Sequence, residues 1–332
     1  MKKFTGIEYI KIDIANQYGY EFDKKTWKER IHWTNTNIKV LEDLELIAKE
    51  PILYAKAVRA LRDAEKGKAT GFIMGLDATA SGLQIMACLI GCHTTAANVN
   101  LADTGKREDI YSKVADRVNK VTGLSYSKAD VKKPVMTTFY GSKKQPEELF
   151  GKGTDELKQF HNIITEQLPG AMECMKDMQD CWNPFALTHQ WTLPDGHVAR
   201  VPVMQAIDKK VEIDELNHAT YTFRAYENKP AAKGLSLAAN IIHSIDGYIV
   251  REMVRRADLM GFALPTIHDS FWASPNHMNE VRQNYLDILI EITLSDLLGD
   301  ILREITDDND LQHIKLSNNL HTCMTSADYA LS

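Results

Sequence analysis

The sequence predicts a mostly helical α+β fold, and three observations carry the prediction. Apolar residues recur at helical spacing over long stretches, most clearly from Ala238 through Ile241, Ile242, Ile245, Ile249, Met253, Ala257 and Met260. Apolar runs of strand length are few and short, at Gly71 to Leu76 and Leu264 to Ala273. Two more segments, Trp191 to Val198 and Lys210 to Glu227, read as polar ribbons folded around turn residues.

Taken in order, the first seventy residues read as helical, with Leu41, Leu44, Leu46 and Ile47 followed by Leu53, Ala57, Val58 and Leu61 around a break at Pro51. Gly71-Phe72-Ile73-Met74-Gly75-Leu76 then makes a strand that ends at Asp77. A helix from near Lys106 sets Ile110, Val114, Val118 and Val121 on one face. A second opens at Ser127, a good N-cap, and closes at Gly141, suited to the left-handed position after a helix. The Pro194-Asp195-Gly196 turn folds one ribbon into a hairpin, the other turns near Asn217, and both are polar enough to be exposed. After the long helix from Ala238 come a strand–turn–strand and a last helix with Val281, Tyr285, Ile288, Leu289 and Ile292 on one side. The tail from Asp307 is polar except at Tyr329-Ala330-Leu331.

A length of 332 residues suggests about two domains, and 44% hydrophobic content is enough for a real core. No repeat or Pro/Gly-rich linker divides the chain, so its domains are expected to interleave. Lysine and arginine number 39 against 45 acidic residues, a net charge of −6, which excludes a protein that grips nucleic acid by bulk basicity alone. Five cysteines without a framework rhythm argue against a disulfide scaffold and for a reducing compartment. No stretch reaches the roughly 20 apolar residues of a membrane span, so a soluble, intracellular protein is expected.

The most informative chemistry lies in Asp77 and Asp269, each at the end of an apolar strand. A carboxylate there sits at the rim of a sheet, where it can face a ligand while its neighbours anchor it. Two such groups brought together repel unless Mg²⁺ stands between them, the arrangement that aligns attacking and leaving oxygens in phosphoryl transfer. Taken singly, each reads first as a turn residue or helix cap, and spacing alone does not pair them. Lys128, Lys132, Met136 and Tyr140, at intervals of four, line one side of a helix. Two ammonium groups and an aromatic ring on one stripe can hold a triphosphate and stack on a base and ribose. Ser125 to Lys144 carries five lysines against one aspartate in a chain that is acidic overall, although Pro134 interrupts that helix. Cys88, Cys92 and His93 lack a second zinc-ligand pair, and His268-Asp269-Ser270 cannot be a hydrolase triad because adjacent strand residues face opposite ways. Walker-loop and His-Glu-x-x-His patterns are absent.

With those residues identified, the chain resembles the single-subunit RNA polymerases of T-odd bacteriophages and mitochondria. Asp77-Ala78-Thr79-Ala80-Ser81-Gly82-Leu83-Gln84 resembles the family's first catalytic motif, Asp-Gly-Ser-x-Ser-Gly-Ile/Leu-Gln. Lys128 through Lys132-Lys133-Pro134 to Tyr140-Gly141-Ser142 resembles the fingers-helix motif, and Ile267-His268-Asp269-Ser270-Phe271 matches Ile-His-Asp-Ser-Phe. Asn240 to Gly247 matches the element before it, and the motifs stand in family order.

The resemblance implies a right-hand polymerase whose palm is a small antiparallel sheet with helices. Residues 1–93 would be the first part of the palm, 94–243 the helical fingers and 244–332 the second part of the palm. It implies that Asp77 and Asp269, with the backbone carbonyl of Ala78, hold two Mg²⁺ ions. Lys132 and Lys128 would contact the incoming triphosphate, with Lys11 as a further phosphate lysine, and Tyr140 and Met136 would flank its base and ribose. His268 and His243 would lie near the pair formed by nascent RNA and DNA template. Gly82 stands where related DNA polymerases resemble one another in carrying a Glu that excludes a 2′-hydroxyl, which favours rNTPs; a DNA polymerase fragment and a non-catalytic nucleic-acid-binding subunit are the alternatives.

Three departures from the pattern are Ala78 for Gly, Pro134 and Phe139 in the fingers helix, and Trp272 where a Gly is common. Family members carry several hundred residues before the Tyr9 element, including an N-terminal domain and most of the thumb. The resemblance therefore implies the catalytic chain of a split polymerase in the infected host cytoplasm, with a second, more basic subunit supplying those parts. An accessory protein that binds single-stranded DNA or recruits the enzyme is a further expected partner. The ribbon at about 203–233 occupies the place of the family's promoter-reading hairpin.

Overall fold

The computed structural model describes residues 1–203, 205–227 and 235–332. Helices α1 (Gly6–Tyr18), α2 (Trp27–Thr36) and α3 (Pro51–Glu65) form the first layer. Thr5 and Glu8 close a capping box on α1, Thr26 and Glu29 do so on α2, and Pro51 starts α3 at a position where its missing N–H costs nothing. Ile10, Ile14, Leu41, Tyr54, Ala57 and Leu61 bury one another in a small satellite core. The predicted stripe through Leu46 and Ile47 fails, because Glu42–Ile47 winds as a 3-10 turn that leaves Leu46 90% exposed. Pro51 is accordingly a helix start rather than a break.

Strand β1 (Met74–Asp77) leads into α4 (Ser81–Ile90) and α5 (His93–Asn98). Next come α6 (Ile110–Thr122) and α7 (Lys128–Thr138). The first begins later than the sequence predicts, because the Asp109 side chain accepts from the N–H groups of Tyr111 and Ser112 and so sets the cap there. The second runs through Pro134 unbroken, capped by Ser127 and Asp130, and Gly141 takes the expected left-handed conformation with φ 80°. Helices α8 (Lys144–Phe150), α9 (Asp155–Gln167) and α10 (Pro169–Asp180) complete a helical lobe around Phe150, Phe160 and Ile164.

The two ribbons are β2 (Thr188–Thr192) with β3 (Val198–Pro202), and β4 (Gln205–Ile213) with β5 (Ala219–Glu227), both antiparallel. The first is not the exposed ribbon that its polar alternation suggests. Trp191 is fully buried, and its indole N–H donates to Ser244 Oγ at 2.9 Å. The second turns through Asn217 and His218, both at positive φ, as expected for its turn; the remainder of the expected 203–233 ribbon, residues 228–233, lies outside the described residues.

Helix α11 (Leu235–Leu259) buries Ile241, Ile242, Ile245, Ile249 and Met253 as its spacing predicts. Strands β6 (Thr266–Ile267) and β7 (Ser270–Ala273) then join β1 in an antiparallel sheet of order β1-β7-β6. The register sets Gly75 opposite Trp272, Leu76 opposite Phe271 and Asp77 opposite Ser270. With side chains alternating, Met74, Leu76, Phe271 and Ala273 enter the core while Gly75, Asp77, Ser270 and Trp272 share the other face. Gly75 is required there, since a β-carbon would lie 2.5 Å from the Trp272 ring.

Helices α12 (Met278–Leu294), α13 (Leu297–Thr306) and α14 (Leu320–Met324) close the fold. The second of these is a helix that the sequence reading lacks. Arg282 on α12 is 2% exposed and clamps distant segments: it donates to the carbonyls of Lys2 and Asp328 at 2.8 Å and to Tyr9 Oη at 2.9 Å, over the Trp27 ring.

Candidate active-site cleft

Asp77 and Asp269 are brought together by the β1–β7 pairing. Asp77 ends β1, Asp269 sits in the two-residue turn between β6 and β7, and the Ala78 N–H donates to the Asp269 carbonyl at 3.0 Å. His268, the other turn residue, takes the left-handed conformation with φ 54° that so tight a turn demands. The loop after Asp77 is held from the opposite side. Ala78 bridges Leu331, the Thr79 N–H donates to the Ala330 carbonyl at 3.1 Å, and the Ser332 N–H donates to the Asp77 carbonyl at 2.9 Å. Buried Gln84 extends the clamp, donating to the carbonyls of Val99 and Ala330 and accepting from Tyr285 Oη at 2.8 Å.

Burial pushes the Asp269 carboxyl above its ordinary range, and the nearby Asp77 charge adds to that, while the Ser81 hydroxyl and His268 oppose it. Asp246 on α11 is raised in the same way, by burial first and then by Asp269, and it shares the Ser81 hydroxyl. Neither Asp77 nor Asp269 is ion-paired with a cationic side chain among the described residues. Two neighbouring carboxylates, neither in an ion pair with a cationic side chain among the described residues, suit a hard, oxygen-seeking divalent cation.

These carboxylates open on a cleft of about 1060 Å³ whose far wall is α7, and Lys128, Lys132, Met136 and Tyr140 all line it. The helical spacing read from the sequence therefore survives Pro134. Lys128 Nζ is engaged by the Asp109 carboxylate that caps α6. Lys132 Nζ stands 5.7 Å from the centre of the Tyr111 ring and has no carboxylate partner among the described residues. Burial pushes the Tyr140 phenol up, with Asp246 and Asp269 adding to it. Gly82 opens α4 beneath that phenol.

The cleft also holds residues that the sequence reading missed. Lys24 and Arg107 line it, with Asp23 and Asp109 beside them. Burial lowers the Arg107 guanidinium while Asp23, Asp109 and Asp77 support its charge, and its Nε donates to Ser332 Oγ at 3.0 Å. Lys24, ion-paired with Asp23, is lowered by burial and then by Arg107, with Asp23 opposing the shift and Lys128 adding a smaller push, so three cations share one end of the cleft. Lys24, at the end of a 3-10 turn, and Arg107, in a loop, stand singly and carry no periodic signal; the nearest hint was Asp109, a charged N-cap. Lys11, proposed from the sequence as a phosphate contact, is not among the lining residues. His243 packs edge-on against Tyr140 with ring centres 5.1 Å apart, and His268 is exposed; neither is among the lining residues.

Comparison with known proteins assigns the chain to a family. The profile of the family described as DNA-dependent RNA polymerase matches residues 3–148 and 147–328. The mitochondrial DNA-directed RNA polymerase 1 of Arabidopsis thaliana is 25% identical across 91% of this chain and 37% of its own length. The corresponding Nicotiana sylvestris protein is 23% identical across 90% of this chain and 35% of its length. The DNA-directed RNA polymerase of Pseudomonas phage phiKMV is 22% identical across 80% of this chain and 40% of its length. The chain thus spans little more than a third of the length of these relatives.

Proposed function

Because the chain belongs to the DNA-dependent RNA polymerase family, we propose that it carries the catalytic centre of a phage-type enzyme that adds rNTPs to an RNA 3′ end on a DNA template. The observation that carries this reading is the convergence of Asp77 and Asp269 at one rim of a cleft whose opposite wall bears Lys128, Lys132 and Tyr140. In this reading the sheet and its flanking helices are the palm, and α6 to α10 belong to the fingers.

Asp77 and Asp269, with the Ala78 carbonyl, are the residues to hold magnesium. Two bound Mg²⁺ ions would offset the carboxylate repulsion and stabilise charge on the attacking and leaving oxygens. The protein's own share is binding and orientation. Lys132 and Lys128, joined by Lys24 and Arg107, face the triphosphate; their cluster supplies the charge density that a chain of net charge −6 lacks overall. Tyr140 and Met136 border the base and ribose, and Gly82 leaves the 2′-hydroxyl unobstructed. His243 and His268 are placed in this proposal beside the nucleic acid.

The proposal includes a second polypeptide that provides the template grip, and a site of action in the infected host cytoplasm. Among the described residues, no helix is long and apolar enough to cross a membrane. The test is primer–template extension with Mg²⁺, with and without a candidate partner chain, offering rNTPs and dNTPs separately to wild type and Asp269→Asn. Extension with rNTPs that Asp269→Asn abolishes supports the reading; equal extension by both proteins overturns it.

A further inference from the structure

Outside the cleft, one constellation combines a sulfur nucleophile, a base and an orienting amide. Cys323 lies on α14 and His93 opens α5, with Sγ 3.5 Å from Nδ1. On the other side of the ring, Nε2 is 2.9 Å from Asn319 Oδ1 and 3.2 Å from Ser317 Oγ. An amide oxygen only accepts, so Nε2 carries the proton of the neutral ring. Nδ1 is thereby left with its lone pair toward the Cys323 thiol. Ser317 Oγ donates to the same Asn319 oxygen at 2.5 Å, which keeps that oxygen, rather than the amide NH₂, turned to the imidazole.

The backbone holds the group together. Gly91, two residues before His93, has φ 70°, and a β-carbon there would lie 2.0 Å from the Ser317 carbonyl oxygen. The Leu316 N–H donates to the Ile90 carbonyl at 2.8 Å, so the 316–319 segment is packed directly on the turn that carries His93. The other cysteines differ. Burial pushes the Cys88 thiol up to about 12 and the Cys181 thiol up to about 11, and raises that of Cys174. Cys92 is buried, and its sulfur accepts from the Thr95 N–H.

We propose that Cys323 is a nucleophilic thiol assisted by His93 and Asn319, and a modification site for small disulfides and other soft electrophiles. Cys323 is partly exposed, as such a role requires. In the exchange step the Cys323 proton passes to His93 Nδ1 and the sulfur attacks one sulfur of the disulfide. The old S–S bond breaks as the new one forms, and the departing thiolate takes the proton back from the imidazolium. The result is a mixed disulfide six residues before the Tyr329 carbonyl that accepts from Thr79 Oγ1 in the loop after Asp77.

The test is pulsed alkylation of the folded chain with iodoacetamide at neutral pH, read by peptide mass spectrometry. Cys323 should react roughly tenfold faster than Cys181. His93→Gln and Asn319→Ala should each slow Cys323 several-fold without changing the rate at Cys181. Oxidised glutathione should add once, at Cys323, and be released by dithiothreitol. A Cys323 rate unchanged in a His93→Gln protein with wild-type melting temperature overturns the proposal. Should that variant not fold, equal rates at Cys323 and Cys181 in the wild type overturn it. Failure of glutathione to add removes disulfides as its substrate class.

Discussion

The Tyr140 hydroxyl stands directly over Gly82, so close that a β-carbon at position 82 would lie 2.8 Å from it and 3.7 Å from the ring carbon that bears it. Only the oxygen is too near. Gly82→Ala should therefore displace the phenol and raise the KM for rNTPs several-fold, with little effect on melting temperature. Adding Tyr140→Phe removes the clashing atom, so the double variant should be less impaired than the two single losses multiplied. A double-mutant cycle on kcat/KM measures that coupling, expected at about 1 kcal/mol; strict additivity would show that the two positions do not interact in the working enzyme.

Asp109 both caps α6 and holds Lys128. Asn caps a helix about as well as Asp but, being neutral, cannot form an ion pair with an ammonium group. Asp109→Asn should cost less than about 1 kcal/mol of stability, yet shift nucleotide affinity by freeing Lys128. Denaturation and titration with a fluorescent rNTP, run in parallel, check both halves.

Asp13 on α1 is 3% exposed, with Gln17 Nε2 donating to it at 3.0 Å, and burial pushes its carboxyl up to about 7. In the unfolded chain the same group titrates near 3.8. Between those values the folded state keeps a proton that the unfolded state has released, so this group's contribution is fully present below the lower value and is lost as pH rises through the upper one. The loss runs at up to roughly 1.4 kcal/mol per pH unit. Asp13→Asn preserves the acceptor and removes the titration; its stability advantage over wild type in urea denaturation should grow from pH 5 to pH 8.

Arg282 is 2% exposed and satisfies three oxygens, two near the start of the chain and one near residue 328. Arg282→Met fills similar space and leaves those acceptors, and the Asp328 carboxylate 3.8 Å away, without it. The expected cost is about 3–5 kcal/mol, to be read as a fall in the denaturation midpoint. A neutral result would mean that water replaces the guanidinium.

Much of the helical frame was legible because α11 and α12 repeat apolar residues over several turns, and Ser127 and Gly141 are strong local start and stop signals. The pairing of Asp77 with Asp269 was not: it rests on strand contacts between positions 192 apart in the sequence, which no local pattern encodes, and it was reached through family-like motifs instead. Trp191 was misplaced because one deeply buried ring in an otherwise polar ribbon leaves the alternation looking solvent-exposed. Helix α13 was lost because the break at Ser295 and Asp296 separates it from α12 by only two residues, so its apolar face merges with the preceding stripe.

The clamp between the Asp77 loop and residues 329–332 also has a meaning in time. Thr79 Oγ1 reaches a carbonyl 250 positions downstream, and Gln84 one 246 positions downstream. A ribosome moving at about 5–20 residues per second delivers those partners more than ten seconds after the loop itself. The carboxylate turn therefore gains its clamp late, and in a growing chain its geometry is complete only after nearly every residue described here has been made.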